Sequence, residues 1–223
     1  MNFTFIILGV ILVIVLYVLY KSLLAPTSVV SSQTYLGSKP KPIDLKTITT
    51  SPGINCAYAL WIYANNLNAN GDLIFKIPLA DNAGVSNIVL SLSSNATLSV
   101  KVTKSNDEAP THEITKNFPL QRWEYVVISI NQNILDLYLD GKLIKSINLN
   151  ANVKVPAKNS QIVFGDGDIY IAGFKILSDP MDPQTAWNNY LNGSGTTTRS
   201  LTNYGLSMTF SKNNNPEKTI TLF

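Results

Sequence analysis

The sequence predicts an all-β, antiparallel sandwich, and the stretch from Asn117 to Leu149 carries most of the argument. Trp123 to Ile130 is aromatic and β-branched with almost no charge, which suits a central strand buried on both faces. Asn131-Gln132-Asn133 supplies a turn, because asparagine tolerates the left-handed backbone conformation. Leu135, Leu137 and Leu139 then alternate with Asp136, Tyr138 and Asp140, the period-two pattern of a strand with one apolar face. Asp140-Gly141 follows at once and marks a hairpin. With a two-residue turn, Leu139 faces Lys142, Tyr138 faces Leu143, Leu137 faces Ile144 and Asp136 faces Lys145. That opposite-charge pair contributes roughly 0.2–1 kcal/mol, and a slip of one residue would move every leucine to the wrong face. Such a hairpin needs a second sheet over its leucines.

Before the sandwich stands an apolar run from Phe3 to Tyr20 without a charge. At helical rise its length is roughly 27 Å, close to the ~30 Å hydrocarbon core of a bilayer. Residues 1–21 are therefore expected to be a transmembrane anchor. It comprises Phe3, Ile6, Ile7, Leu8, Val10, Ile11, Leu12, Val13, Ile14, Val15, Leu16, Tyr17, Val18, Leu19 and Tyr20, with Lys21 among the head groups. The rival reading is a cleaved signal peptide. Met1-Asn2 offers no basic flank, and Ala25, between Leu23 and Pro26, is a poor cleavage site. Lys21, Lys39 and Lys41 follow the run, so the positive-inside rule favours a cytosolic sandwich on a single-pass protein. Against this stand two sequons, Asn95-Ala96-Thr97 and Asn192-Gly193-Ser194, which would carry glycans in a lumenal domain.

Residues 22–44, with Pro26, Pro40 and Pro42, read as an extended linker arm holding the domain clear of the bilayer. The sandwich is expected over 45–195. Its strands are read at 55–63, 73–77, 87–92 and 97–103, then the 117–149 meander and 161–164, with 65–71 as a loop by its asparagines. A short helix is expected at 182–191, capped by Asp182, with Pro183 in its first turn and Gly193 after its end. Trp187 and Tyr190 would pack it on the sandwich as a lid. Residues 196–223 form a C-terminal extension, a strand pair at 201–211 and 219–223 joined by a loop at 212–218. Deleting 3–20 is expected to leave a folded domain from Asp44 onward.

Three blocks carry a resemblance. Trp123 to Ile130 with Leu137-Tyr138-Leu139-Asp140-Gly141-Lys142-Leu143, Tyr58 to Tyr63 with Gly71 to Phe75, and Ile169 to Leu177 with Met181 to Tyr190 resemble the laminin G-like domains of the concanavalin A-like jelly-roll class. The resemblance covers about residues 51–195 and specifies the fold better than a job. It implies a concanavalin A-like sandwich in which catalysis, sugar binding and structural roles must each be weighed. The whole arrangement of anchor, arm, sandwich and extension resembles the membrane-anchored virion proteins of large nucleocytoplasmic DNA viruses. That likeness implies a minor capsid protein tethering the capsid shell to an internal membrane, with lipid and capsid proteins as partners. Carbohydrate binding at a cell or virion surface is the alternative.

Composition narrows the chemistry. A net charge of +3 with 14% charged residues makes no basic stripe, so no nucleic-acid partner is expected. Cys56 is the only cysteine and reads as a buried thiol, while His112 is the only histidine and reads as solvated within a polar loop at 105–113. Gly165-Asp166-Gly167-Asp168 invites a calcium reading, but two carboxylates are few for a cation that takes six to eight oxygens. A tight turn is the plainer account, and no metal or cofactor is expected. Glucanase relatives carry Glu-x-Asp-x-x-Glu on one strand, and this chain does not. Asp136 and Asp140 share a strand face, but one is assigned to Lys145 and the other to the turn. No catalytic residue and no enzyme activity are therefore expected. The many tyrosines and asparagines keep sugar binding open, although no cluster of loop aromatics stands out.

Overall fold

The computed structural model describes residues 9, 11–17, 28–30, 32–48, 50, 52–79, 84–194, 207–212 and 215–221. Residues 11–17 are helical and Ile11 to Tyr17 are exposed. The other expected anchor residues, Phe3, Ile6, Ile7, Leu8, Val10, Val18, Leu19, Tyr20 and Lys21, lie outside the described residues. Among the described residues no helix is long and apolar enough to cross a membrane.

Two antiparallel sheets face each other. The seven-stranded sheet runs in the order β1 (Ser28–Val30), β13 (Ile169–Leu177), β4 (Asn55–Ala64), β9 (Trp123–Asn131), β10 (Ile134–Leu139) and β11 (Lys142–Asn148), and β2 (Thr34–Tyr35) also pairs with β13. The six-stranded sheet runs β3 (Ile43–Asp44), β12 (Gln161–Phe164), β5 (Asp72–Pro78), β6 (Ser86–Leu92), β7 (Leu98–Val102) and β8 (Thr111–Thr115). Period-two alternation sends Tyr58, Leu60, Ile62, Val126, Ile128, Leu135 and Leu137 inward, where they meet Phe75, Ile88, Leu90 and Val100 of the opposite sheet. Phe75 and Phe174 close the middle with ring centroids 4.9 Å apart.

A second, smaller core explains why 123–130 is apolar without alternation. The outer face of β4, β9, β10 and β13 presents Ala57, Ala59, Trp61, Tyr125, Val127, Tyr138 and Ala172, and the helix α1 (Pro183–Leu191) covers it with Ala186 and Tyr190. Alanines on the sheet leave room for the helix to approach. The segment leading into α1 is tied down by polar contacts: Ser129 Oγ accepts from Met181 N at 2.9 Å, and Tyr138 Oη donates to Met181 O at 3.2 Å. Asp182 caps α1 as expected, accepting from Thr185 N at 2.9 Å. Tyr190 stacks on Trp61 at 5.8 Å, while Trp187 stays 37% exposed. A Cβ on Gly141 would stand 2.9 Å from Trp187 Cα, so the hairpin turn needs glycine for the helix as well as for its φ of +75°.

Several expectations change. Asp140 (φ 49°) and Gly141 (φ 75°) make the expected two-residue turn, and Leu139 faces Lys142 and Tyr138 faces Leu143. A bulge then intervenes, so Leu137 faces Lys145 and Asp136 faces Ser146 rather than Lys145. The extra residue turns β11 so that Lys145 Nζ donates to Glu113 O of β8 at 2.6 Å, a contact between the two sheets that a regular ladder would not reach. In the β9–β10 turn Gln132, not an asparagine, takes the left-handed conformation (φ 55°). Its N–H is held by Ile54 O at 3.0 Å, and Asn133 spends its side-chain amide on Asn148.

The segment 22–44 does not stand free from Ser28 on. β1 and β2 pair with β13, β3 pairs with β12, and Leu36 is fully buried. His112 is not in a solvated loop: it lies on β8, half-buried, with Nε2 buried and unbonded. Burial, then Lys145 and Lys104, hold its pKa below the usual histidine value. At the C-terminus β14 (Ser207–Lys212) pairs with β15 (Asn215–Thr221), so most of the expected 212–218 loop is strand. This pair forms its own two-stranded sheet.

Candidate functional site

With α1 over one outer face, the polar side chains converge at the end of the sandwich where the 65–71 loop meets the 165–168 turn. Both connect strands whose greasy interiors cannot accept polar groups, so the polarity collects where the chain reverses. Asp168 accepts from Asn65 Nδ2 at 2.7 Å and Asn66 Nδ2 at 2.9 Å. These amides, with the Tyr35 hydroxyl, hold its carboxyl below the usual range, and Asp168 in turn raises the Tyr35 hydroxyl. Asp72, nearly buried, accepts from Asn68 N at 3.2 Å and from the Asn68 side chain. Asp166 faces Lys39 at 3.6 Å.

The glycines of the 165–168 turn are demanded by packing. A Cβ on Gly165 would overlap the Leu73 carbonyl, and one on Gly167 would overlap the Asp72 carboxylate. Asp166 and Asp168 are thus engaged by Lys39 and the asparagines, and among the described residues no three His, Cys, Asp or Glu side chains come together as a metal site. Two shallow clefts flank Leu73. One of about 220 Å³ includes Asn70, Asp72, Ser91 and Ser93, and another of about 310 Å³ includes Lys39, Phe164 and Asp166. Such walls can hydrogen-bond a hydroxyl-rich ligand.

At the same end lies an ionic cluster that the sequence reading did not single out. Glu124, second in β9, has its side chain almost wholly buried, and Arg122 Nε lies 2.6 Å from Oε1 as an ion pair without hydrogen-bond geometry. Arg122 Nη2 donates to Asp140 Oδ2 at 2.9 Å, and Asp140 Oδ1 accepts from Tyr125 N at 2.9 Å. Burial, then the neighbouring Asp140, push the Glu124 carboxyl up to about 7, against the pull of Arg122. The cluster braces the hairpin turn. Its sequence signal was the lone acid between Trp123 and Tyr125 in an apolar strand. Asp136, expected to pair Lys145, instead keeps Oδ1 buried and unbonded. Cys56 is buried as expected, with burial pushing its thiol up to about 11.

This layout of two stacked sheets, a covering helix and loop-borne polar groups is matched by a family profile. Residues 41–181 fit the Laminin_G_3 family, described as the concanavalin A-like lectin/glucanases superfamily. The chain belongs to this superfamily. No curated protein matches it. Solved structures similar to it include the botulinum neurotoxin serotype D ligand binding domain in complex with N-acetylneuraminic acid, at a TM-score of 0.53 and 16% identity, covering 65% of this chain and 38% of that one. The botulinum neurotoxin type G receptor binding domain aligns at a TM-score of 0.50 and 14% identity, over 62% of this chain and 38% of that one. The serotype D receptor binding domain gives 0.52 and 16%, over 64% and 38%. The chain spans well under half the length of these structures, and at such identities the likeness is one of fold. As a superfamily member the chain has its glycine-rich 165–168 turn and Asn-rich loop on the sandwich rim, where members of a shared fold vary most freely.

Proposed function

We propose that the chain is a non-catalytic, single-pass membrane protein whose concanavalin A-like sandwich is a recognition module, built to tether a protein layer to a bilayer. The observation that carries this reading is the uncharged apolar run from Phe3 to Tyr20, joined by residues 21–27 to the first strand of a closed sandwich. A rigid body so placed holds whatever it binds at a short, set distance from the membrane. The resemblance in arrangement to virion proteins of large nucleocytoplasmic DNA viruses makes the capsid shell and an internal membrane the proposed pair, with the sandwich on the cytosolic side. A non-catalytic role is supported by the chemistry of the carboxylates. Glu124 and Asp140 are braced by Arg122, and Asp72 and Asp168 by asparagines, so each is already held by a structural partner.

A second reading has its own observation. The smaller cleft beside Leu73 is walled by Asn70, Ser91 and Ser93, and one structure of the same fold is a ligand binding domain in complex with N-acetylneuraminic acid. Carbohydrate recognition at this rim is the alternative. Protease protection of a C-terminally tagged chain in intact membranes, read with the gel shift on deglycosylation, separates the two. A digested tag without glycan is the result expected of the tether. A protected tag with glycan on Asn95 or Asn192, both exposed, would overturn the cytosolic placement and make the sugar-binding reading the better one.

A further inference from the structure

The aromatic side chains on the outer face of the seven-stranded sheet continue past α1. Trp61 of β4 and Tyr125 of β9 belong to the core beneath the helix, and Tyr190 stacks on Trp61. One step of the period-two alternation nearer the Asn-rich rim, the same face carries Tyr63 of β4, opposite both Trp123 of β9 and Tyr170 of β13. Tyr170 is in turn opposite Tyr35 of β2, so four aromatic residues stand in register across neighbouring strands. Their ring centroids are 4.8 Å apart for Tyr35 and Tyr170, 6.3 Å for Tyr170 and Tyr63, and 5.4 Å for Tyr63 and Trp123. In the same order the rings are inclined to one another by 32°, 75° and 53°, so the row is ridged rather than flat.

All four rings are partly exposed, Tyr35 the most at 38%. Cross-strand packing explains why they lie together, but it leaves their polar atoms unexplained. Among the described residues Tyr63 Oη, Tyr170 Oη and Trp123 Nε1 bond nothing, whereas the Tyr35 hydroxyl is turned to Asp168. Asp168, the carboxylate at this end of the row, is already filled by Asn65 and Asn66. The row therefore presents apolar rings edged with O–H and N–H donors, and its one carboxylate is engaged. A sugar, with a hydroxyl donor at almost every carbon, is poorly matched to that charge pattern. A proline-rich strand is well matched, because proline has no N–H and the polyproline II helix leaves its carbonyls turned outward as acceptors. Length agrees as well. Strands about 4.8 Å apart put the ends of the row about 14 Å from each other, the reach of about five residues of polyproline II.

We infer that Tyr35, Tyr170, Tyr63 and Trp123 form a ledge that docks a proline-rich segment of a partner protein in the polyproline II conformation. Proline rings lodge between the inclined aromatic rings, the widest gap being that between Tyr170 and Tyr63, while Tyr63, Tyr170 and Trp123 donate to the carbonyls of the segment. The inference rests on the reading of the sandwich as the part that holds a protein layer, and it gives that layer a recognisable feature. A segment already in polyproline II loses little chain entropy on docking, so a shallow ledge is sufficient to hold it.

The test titrates the full chain, in detergent micelles, into fluorescein-labelled decaproline and follows the anisotropy, with a glycine-serine peptide of equal length as control. Decaproline should bind saturably and the control should not. Tyr63→Phe and Tyr170→Phe each remove one unbonded hydroxyl and keep the ring, so thermal melts should stay put. Decaproline affinity should fall by about two- to tenfold in each, the worth of one hydrogen bond. Ser91→Ala, in the cleft on the other sheet, should leave the affinity as it was. Decaproline binding that does not saturate, or that the double variant Tyr63→Phe with Tyr170→Phe leaves unchanged, would overturn the ledge. Saturable binding of chitotetraose in place of decaproline, weakened by the same two variants, would also overturn it and make the row a sugar site. Carbonate extraction of the chain from vesicles judges the tether separately. A chain that resists extraction and ignores decaproline overturns the ledge and leaves the tether standing; a chain that is stripped yet binds decaproline does the reverse.

Discussion

Glu124→Gln offers a test of the ionic cluster in which the sign and the size both come from the structure. The folded protein holds the Glu124 proton more tightly than an unfolded chain does, up to about 7 against an ordinary 4.5. Ionising it in the folded state therefore costs stability, and that cost is absent below about 4.5, grows as pH rises, and is complete above about 7. At about 1.4 kcal/mol per pH unit, the span amounts to about 3 kcal/mol. Glutamine copies the shape of the protonated acid without the charge. The variant should thus match the parent at pH 4.5 and exceed it at pH 8 by up to about 3 kcal/mol, less whatever Arg122 loses. Urea unfolding of residues 28–223, followed by tryptophan fluorescence at several pH values with equal slopes in parent and variant, reads this directly. An offset between the two proteins that is the same at pH 4.5 and pH 8 would refute the reasoning. It would mean that Glu124 titrates alike in the folded and unfolded chain.

Other consequences follow from packing. A chain starting at residue 28 should fold, whereas one starting at Asp44 loses β1, β2 and the buried Leu36 and should unfold at markedly lower urea; burial of Leu36 alone is worth about 1.5–3 kcal/mol. Gly165→Ala should destabilise by more than about 2 kcal/mol, because its Cβ meets the backbone of Leu73, while Gly193→Ala, with nothing within reach but a φ of +75°, should cost about 1 kcal/mol; thermal melts of both variants compare them. Asp182→Ala removes the cap of α1 and should cost about 1 kcal/mol, and hydrogen exchange at Thr185 should quicken more than exchange in β9.

Much of the sandwich was legible because strand patterning is local. Ile169–Leu177 falls where the family resemblance puts it and Gln161–Phe164 where it was read as a strand, and Asp182, Pro183 and Gly193 mark the helix by cap chemistry that needs no tertiary context. The 165–168 turn was read as a turn, but the reason for its glycines is the passage of β5 behind it, which no local pattern carries. The bulge at Leu137/Tyr138 was invisible for the same kind of reason. Its gain is the contact of Lys145 with Glu113, residues far apart in the chain and on different sheets. His112 and the β8 strand were hidden in a polar run, since an edge strand facing solvent on one side has little hydrophobic signal. Of the candidate rim site, the Asn-rich loop was seen as a loop, yet its pairing with Asp72 and Asp168 requires two strand ends to meet.

What the sequence determined by itself is the class of the fold, the central meander, the capped helix and the apolar run, all of them properties of windows shorter than about twenty residues. What only the tertiary structure decided is where segments of low apolar content belong. β1, β2 and β3 became edge strands because the edges of β13 and β12 offered unpaired backbone groups, and pairing satisfies donors and acceptors whatever the side chains are. That choice sets the edge of each sheet at which these segments lie.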